Sequence, residues 1–157
     1  MSKTVPVSFG DQFLWAYDVS FGILLLEAID GAAGMSQPEG AGDVLEGLRA
    51  HAQVGASAAF ALDDQRWSPS QRTFVHRIIA EAGRRMRERG IMTRLEAEAR
   101  YVTGNEPFAL RFEEYVDGAV VAELAEAMNH LIHDDLPPVP DAGRHWFYGV
   151  EDGPRTT

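Results

Sequence analysis

The sequence predicts an all-α fold, a single-domain bundle of about five helices around a central, apolar first helix. Three observations lead there. The chain has 157 residues, enough for one buried core. Apolar residues recur at helical spacing through several long stretches. Capping-box signals stand at the head of three of them, at Ser8-Asp11, Ser68-Gln71 and Thr93-Glu96.

The first helix is predicted from Ser8 to about Ala33. Phe13, Tyr17, Phe21, Leu24, Leu25 and Ala28 cover one broad side of its wheel. Val19, Ile23, Leu26 and Ile29 fall elsewhere around it, the pattern of a helix buried on all sides. Asp18 and Glu27 lie on different faces of this helix. A carboxylate buried there needs a partner, and the arginines of the third helix are the expected source.

Residues 31–42, GAAGMSQPEGAG, read as a flexible connection. The second helix is predicted from Asp43 to about Leu62, with small residues at its end for close helix approach. The third is the best marked: Ser68 as N-cap, Pro69 at the first helical position, Gln71 closing the capping box, and Gly90 as C-terminal stop. Between them Phe74, Val75, Ile78, Ile79, Ala82 and Met86 keep the helical period.

A short fourth helix is predicted from Thr93 to about Val102, and a last long one from Pro107 to His133, with a break at Gly118. Residues 95–101 and 108–113 also alternate apolar and polar. The alternative is therefore an α+β fold with a β-hairpin near 94–116. The abundance of Ala and Glu favours helix. Residues 1–136 form the predicted helical domain. The turn-rich tail 137–157 is expected to dock on it through Trp146-Phe147-Tyr148.

Composition narrows function. No cysteine is present, so disulfides, thiolate metal sites and thiol catalysis are excluded. There is no signal-peptide pattern and no long apolar run, and a cytoplasmic protein without membrane contact is expected. Net charge is −10, with 24 acidic against 14 basic residues. The charge is uneven: residues 66–100 hold nine arginines against four glutamates, while residues 112–143 hold eight acids and no Lys or Arg. Such a chain is expected not to bind nucleic acid and to suit a basic protein partner.

NHLIHDD, residues 129–135, has the residue types of a metal site, with His130 and His133 one turn apart and Asp134 beside them. His133-Asp134 resembles the core of the HD phosphohydrolases. That family's pattern adds an earlier His, here His51 or His76, and a later Asp from a downstream helix. Only Asp141 and Asp152 follow, both in the tail, so the pattern is incomplete and the segment reads as a helix terminus. No glutamate has a histidine three residues on, which rules out a ferritin-like carboxylate site. Neither a nucleophile elbow nor a phosphate-binding loop occurs.

The functional expectation is thus a non-enzymatic, cofactor-free binding protein with an acidic face. Its contact residues are predicted to be Glu113, Glu114, Asp117, Glu123, Glu126, Asp134 and Asp135, with Trp146 and Tyr148 as aromatic anchors. A bacterial immunity protein (antitoxin) that neutralises a basic toxin such as a nuclease has this profile. The alternatives are a metal-dependent hydrolase using His130, His133 and Asp134, and a small-molecule-binding helical bundle.

Overall fold

Thr4–Phe9 (β1) and Gln12–Tyr17 (β2) form an antiparallel hairpin, where the sequence had suggested the start of a helix. The computed structural model that establishes this describes residues 4–55, 58–111, 113–133 and 146–148, with residues 147 and 148 described by backbone alone. Gly10-Asp11 is the two-residue turn. Gly10 has φ +61° and Asp11 does not share the positive sign, the pattern of a type II′ hairpin turn. Val5 pairs with Ala16 and Val7 with Leu14, and all four side chains are fully buried. Their period of two is what a sheet with one face on a core requires.

The helices follow as Asp18–Ala32 (α1), Ala41–Val54 (α2), Pro69–Arg89 (α3), Arg94–Arg100 (α4) and Gly118–Ile132 (α5). Phe60–Ala61 (β3) lies parallel to β1, and Trp146–Tyr148 (β8) antiparallel to β2, giving a four-stranded sheet in the order β3-β1-β2-β8. Two small ladders complete the fold. Ile91–Thr93 (β4) pairs with Tyr115–Asp117 (β7), and Val102–Thr103 (β5) with Glu106–Pro107 (β6). The fold is therefore α+β, and the all-α expectation is corrected. The hairpin alternative had the right class but the wrong extent, since residues 94–100 are helical.

Each departure has a local cause. Gly55 takes φ +55° and closes α2 at Val54, so the chain reaches the sheet edge, where Leu62 N–H donates to the Ser8 carbonyl. Asp117 caps α5 by accepting from Ala119 N–H, so residues 107–111 and 113–117 lie outside the helix. Phe108 instead packs into the space left by Gly22 on α1. The third helix keeps both bonds of its capping box, Gln71 N–H to Ser68 Oγ at 3.1 Å and Ser68 N–H to Gln71 Oε1 at 2.9 Å. Of the tail, β8 alone lies within the described residues.

The inward face of the sheet meets α1 and α5, while α1 also packs against α2 and α3, and α3 against α5. Every residue of α1 from Asp18 to Ala28 is buried. Among the described residues no helix is long and apolar enough to cross a membrane.

Two glycines make opposite predictions. A Cβ on Gly118 would lie 2.0 Å from the Met86 carbonyl oxygen and 2.6 Å from that of Gly90, both backbone atoms that cannot swing away. Gly118→Ala should cost about 3 kcal/mol. Gly47 in α2 meets nothing within 4 Å, so Gly47→Ala should stabilise by about 1 kcal/mol. Urea unfolding midpoints of the two variants measure both effects.

Candidate functional site

The densest collection of charge surrounds Glu27, a fully buried residue of α1. Its carboxylate accepts from Arg89 Nε at 2.7 Å, Arg100 Nη2 at 3.0 Å and the Tyr101 hydroxyl at 3.0 Å, and Arg85 Nη2 stands 3.1 Å away. Arg85 and Arg100 also pair with Asp30, at 2.8 and 2.9 Å. Burial alone would raise the Glu27 pKa. Hydrogen bonds from Arg100 and Arg89 outweigh it and hold the carboxyl down at about 2. The Tyr101 hydroxyl moves the other way, pushed up by burial and by the charge of Glu27. Each charged side chain here is paired with another protein group, so the cluster fastens α1, α3 and α4 together.

Asp18 was expected to find a partner on the third helix. It pairs instead with Arg111, which has the positive φ of 54° and lies 5.8 Å over the Tyr17 ring. Arg94 holds the same loop by donating Nη1–H to the carbonyls of Arg111 and Glu113, at 2.8 and 2.7 Å.

That loop leads into a surface of another kind. In the β4–β7 ladder Met92 opposes Val116 and both are buried, which turns Ile91, Thr93 and Tyr115 outward. Ile91 is 67% exposed and Tyr115 54% exposed, and they are diagonal neighbours across the ladder. Leu95, two residues beyond Thr93 in the first turn of α4, is 79% exposed, and α4 packs on both strands. Single exposed apolar residues are ordinary; three on adjoining elements form a patch. Acids border it: Glu96 follows Leu95, Glu114 precedes Tyr115, and Asp117 opposes Ile91.

The predicted contact residues divide. Glu114 is exposed with no ion pair among the described residues, and Asp117 stands at the patch while also capping α5. Glu113 is half-buried, with its carboxylate against the Tyr17 hydroxyl. Tyr17's pKa is raised by burial first and then by that charge. Glu123 and Glu126 lie on α5, where Glu126 is tied to Arg87 at 2.6 Å. Trp146 opposes Ala16 and is buried on the core side of the sheet, with no open aromatic face. Asp134, Asp135 and the side chain of Tyr148 lie outside the described residues.

The histidines do not converge on a metal among the described residues. His133 Nδ1–H donates to the Asn129 carbonyl at 2.8 Å, and His76 Nε2–H to the Leu62 carbonyl at 2.7 Å. His130 lines a cleft between α3 and α5, and His51 lies on α2. Asp134, the remaining candidate ligand, lies outside the described residues. Ile91, Leu95 and Tyr115 escaped sequence reasoning because their common exposure depends on pairing between distant strands.

Glu27 predicts a stability profile. Its folded pKa of about 2 lies below the ordinary 4.5, so its stabilisation is complete above pH 4.5 and is lost as pH falls towards 2. The amount is roughly 3 kcal/mol. Glu27→Gln should destabilise by about 3–5 kcal/mol at neutral pH, because three guanidiniums lose their counter-charge, and should flatten that acid limb. Urea unfolding from pH 2 to pH 7 measures both. Comparison with family models, curated proteins and solved structures finds no match to this chain.

Proposed function

We propose that this chain is a non-enzymatic binding protein that recognises a basic protein through the surface formed by β4, β7 and the start of α4. The supporting observation is the exposed trio Ile91, Leu95 and Tyr115 with Glu96, Glu114 and Asp117 around it. An apolar centre within a charged rim is the usual anatomy of a specific interface. Tyr115 supplies the aromatic anchor that such centres favour. The acids, within a net charge of −10, draw a basic partner in and set its orientation.

The narrower reading is an immunity protein masking a basic toxin such as a nuclease. It rests on the same charge and on the scarcity of basic residues after residue 111. Among the described residues the charged clusters are closed by internal pairs, which favours binding over catalysis.

Titration calorimetry of the purified chain against a basic protein encoded beside its gene tests the proposal. Binding should weaken as salt rises. Tyr115→Ala should cost about 2 kcal/mol, a loss of roughly thirtyfold in affinity, with the unfolding midpoint unchanged. Absence of binding at low salt, or binding indifferent to Ile91→Ser, Leu95→Ser and Tyr115→Ala, would overturn it.

A further inference from the structure

A second feature lies apart from the β4–β7 surface. A groove of about 460 Å³ opens between α2 and the turn that leads into α3. Asp43, His51, Asp64, Arg66, Trp67 and Gln71 line it. Phe60 stands behind, with its ring in edge contact with His51 at 5.0 Å and tilted against Trp67 at 6.0 Å. The walls are fixed. Gln71 closes the α3 capping box with its Oε1 and donates Nε2–H to the Glu39 carbonyl at 3.0 Å, which joins the head of α3 to the segment before α2.

The charges decide what such a groove suits. Arg66 is already taken: its Nη2 and Nε reach the two oxygens of Asp64 at 2.7 and 3.1 Å, and its backbone N–H reaches the same carboxylate at 2.9 Å. That pair cancels. Asp43, exposed on the first turn of α2, makes no ion pair among the described residues and leaves the lining one negative charge in excess. Burial, and then the charge of Arg66, hold His51 below the usual imidazole range, so its ring adds no positive charge at neutral pH. Its Nδ1 is buried without a hydrogen-bond partner among the described residues. An aromatic wall beside an uncompensated carboxylate is the environment that recognises a flat organic cation.

We propose that this groove binds an alkylguanidinium group, stacked on Trp67 and paired with the Asp43 carboxylate. The group has two possible sources, a free guanidino compound or an arginine side chain of another protein. Their chemistry at the groove is the same. The inference does not depend on the protein-binding reading, because it uses none of Ile91, Leu95 and Tyr115.

Calorimetry on the intact chain with agmatine, N-acetyl-arginine amide, a short arginine-containing peptide, a neutral alkylurea and inorganic phosphate tests it. A guanidinium probe should bind saturably with a Kd on the order of 1 mM, and the alkylurea and phosphate should not. Asp43→Asn should weaken that binding about threefold to fivefold, the value of one exposed charge contact, while the stacking on Trp67 remains. Asp43 is exposed in the first turn of α2, so the unfolding midpoint of the variant should fall only slightly, by the loss of one charge at a helix N-terminus. Binding by agmatine assigns the groove to a free compound; binding by the peptide alone assigns it to a protein side chain. Three outcomes overturn the proposal: no guanidinium probe binds, the alkylurea or phosphate binds equally well, or Asp43→Asn leaves the affinity unchanged.

Discussion

One buried carboxylate constrains the helical half of the molecule. Glu27 sits on the most enclosed helix, and a charge there without partners would be several kcal/mol unfavourable. The fold meets this by drawing Arg85 and Arg89, one turn apart on α3, and Arg100 at the end of α4 to the same point on α1. The two α3 arginines belong to the C-terminal half of their helix, where positive charge also suits the backbone dipole. The arginine-rich stretch 66–100 is thus in part internal counter-charge. Arg84, flanked by Glu81 and Glu88, instead pairs along the solvated face of α3.

A sequence could reveal those parts of the fold whose cause is local. Ser68, Pro69, Gln71 and Gly90 bound α3 by rules that act within a few residues, and the structure keeps each one. The apolar circumference of α1 is equally local, because no exposed helix tolerates it. The β1–β2 hairpin was hidden by a coincidence of periods. Phe13 and Tyr17 are four apart, and four residues return a side chain to the same face in a strand and in a helix alike. Val5, Val7, Leu14 and Ala16 break the tie, but only when both sides of Gly10-Asp11 are read as one pattern. Ser8 and Asp11, meanwhile, imitate a capping box.

The candidate surface was legible in its charge and not in its shape. Glu114 and Asp117 stand out in a run of acids, yet Glu126 and Glu113 are occupied with Arg87 and Tyr17, pairings that exist only after folding. Tyr115 turns outward because Val116 must face the core opposite Met92, a partner more than twenty residues earlier in the chain. Arg111 adds a constraint of its own. A non-glycine residue at positive φ is unfavourable by about 1 kcal/mol, and its links to Asp18 and Tyr17 and the grip of Arg94 on its carbonyl offset that.

The order β3-β1-β2-β8 also carries a schedule. The two six-residue strands are made before their neighbours, and their flanks are covered by residues 60–61 and, much later, by residues 146–148. During synthesis the hairpin leaves the ribosome with both backbone edges bare. Some forty residues must follow before the first edge is closed, and most of the chain before the second. For that interval the flank of β2 is open to any other extended chain, and nascent copies on one messenger are the nearest candidates. The short strand at residues 146–148 thus closes a sheet whose first two strands lie more than a hundred residues earlier in the chain.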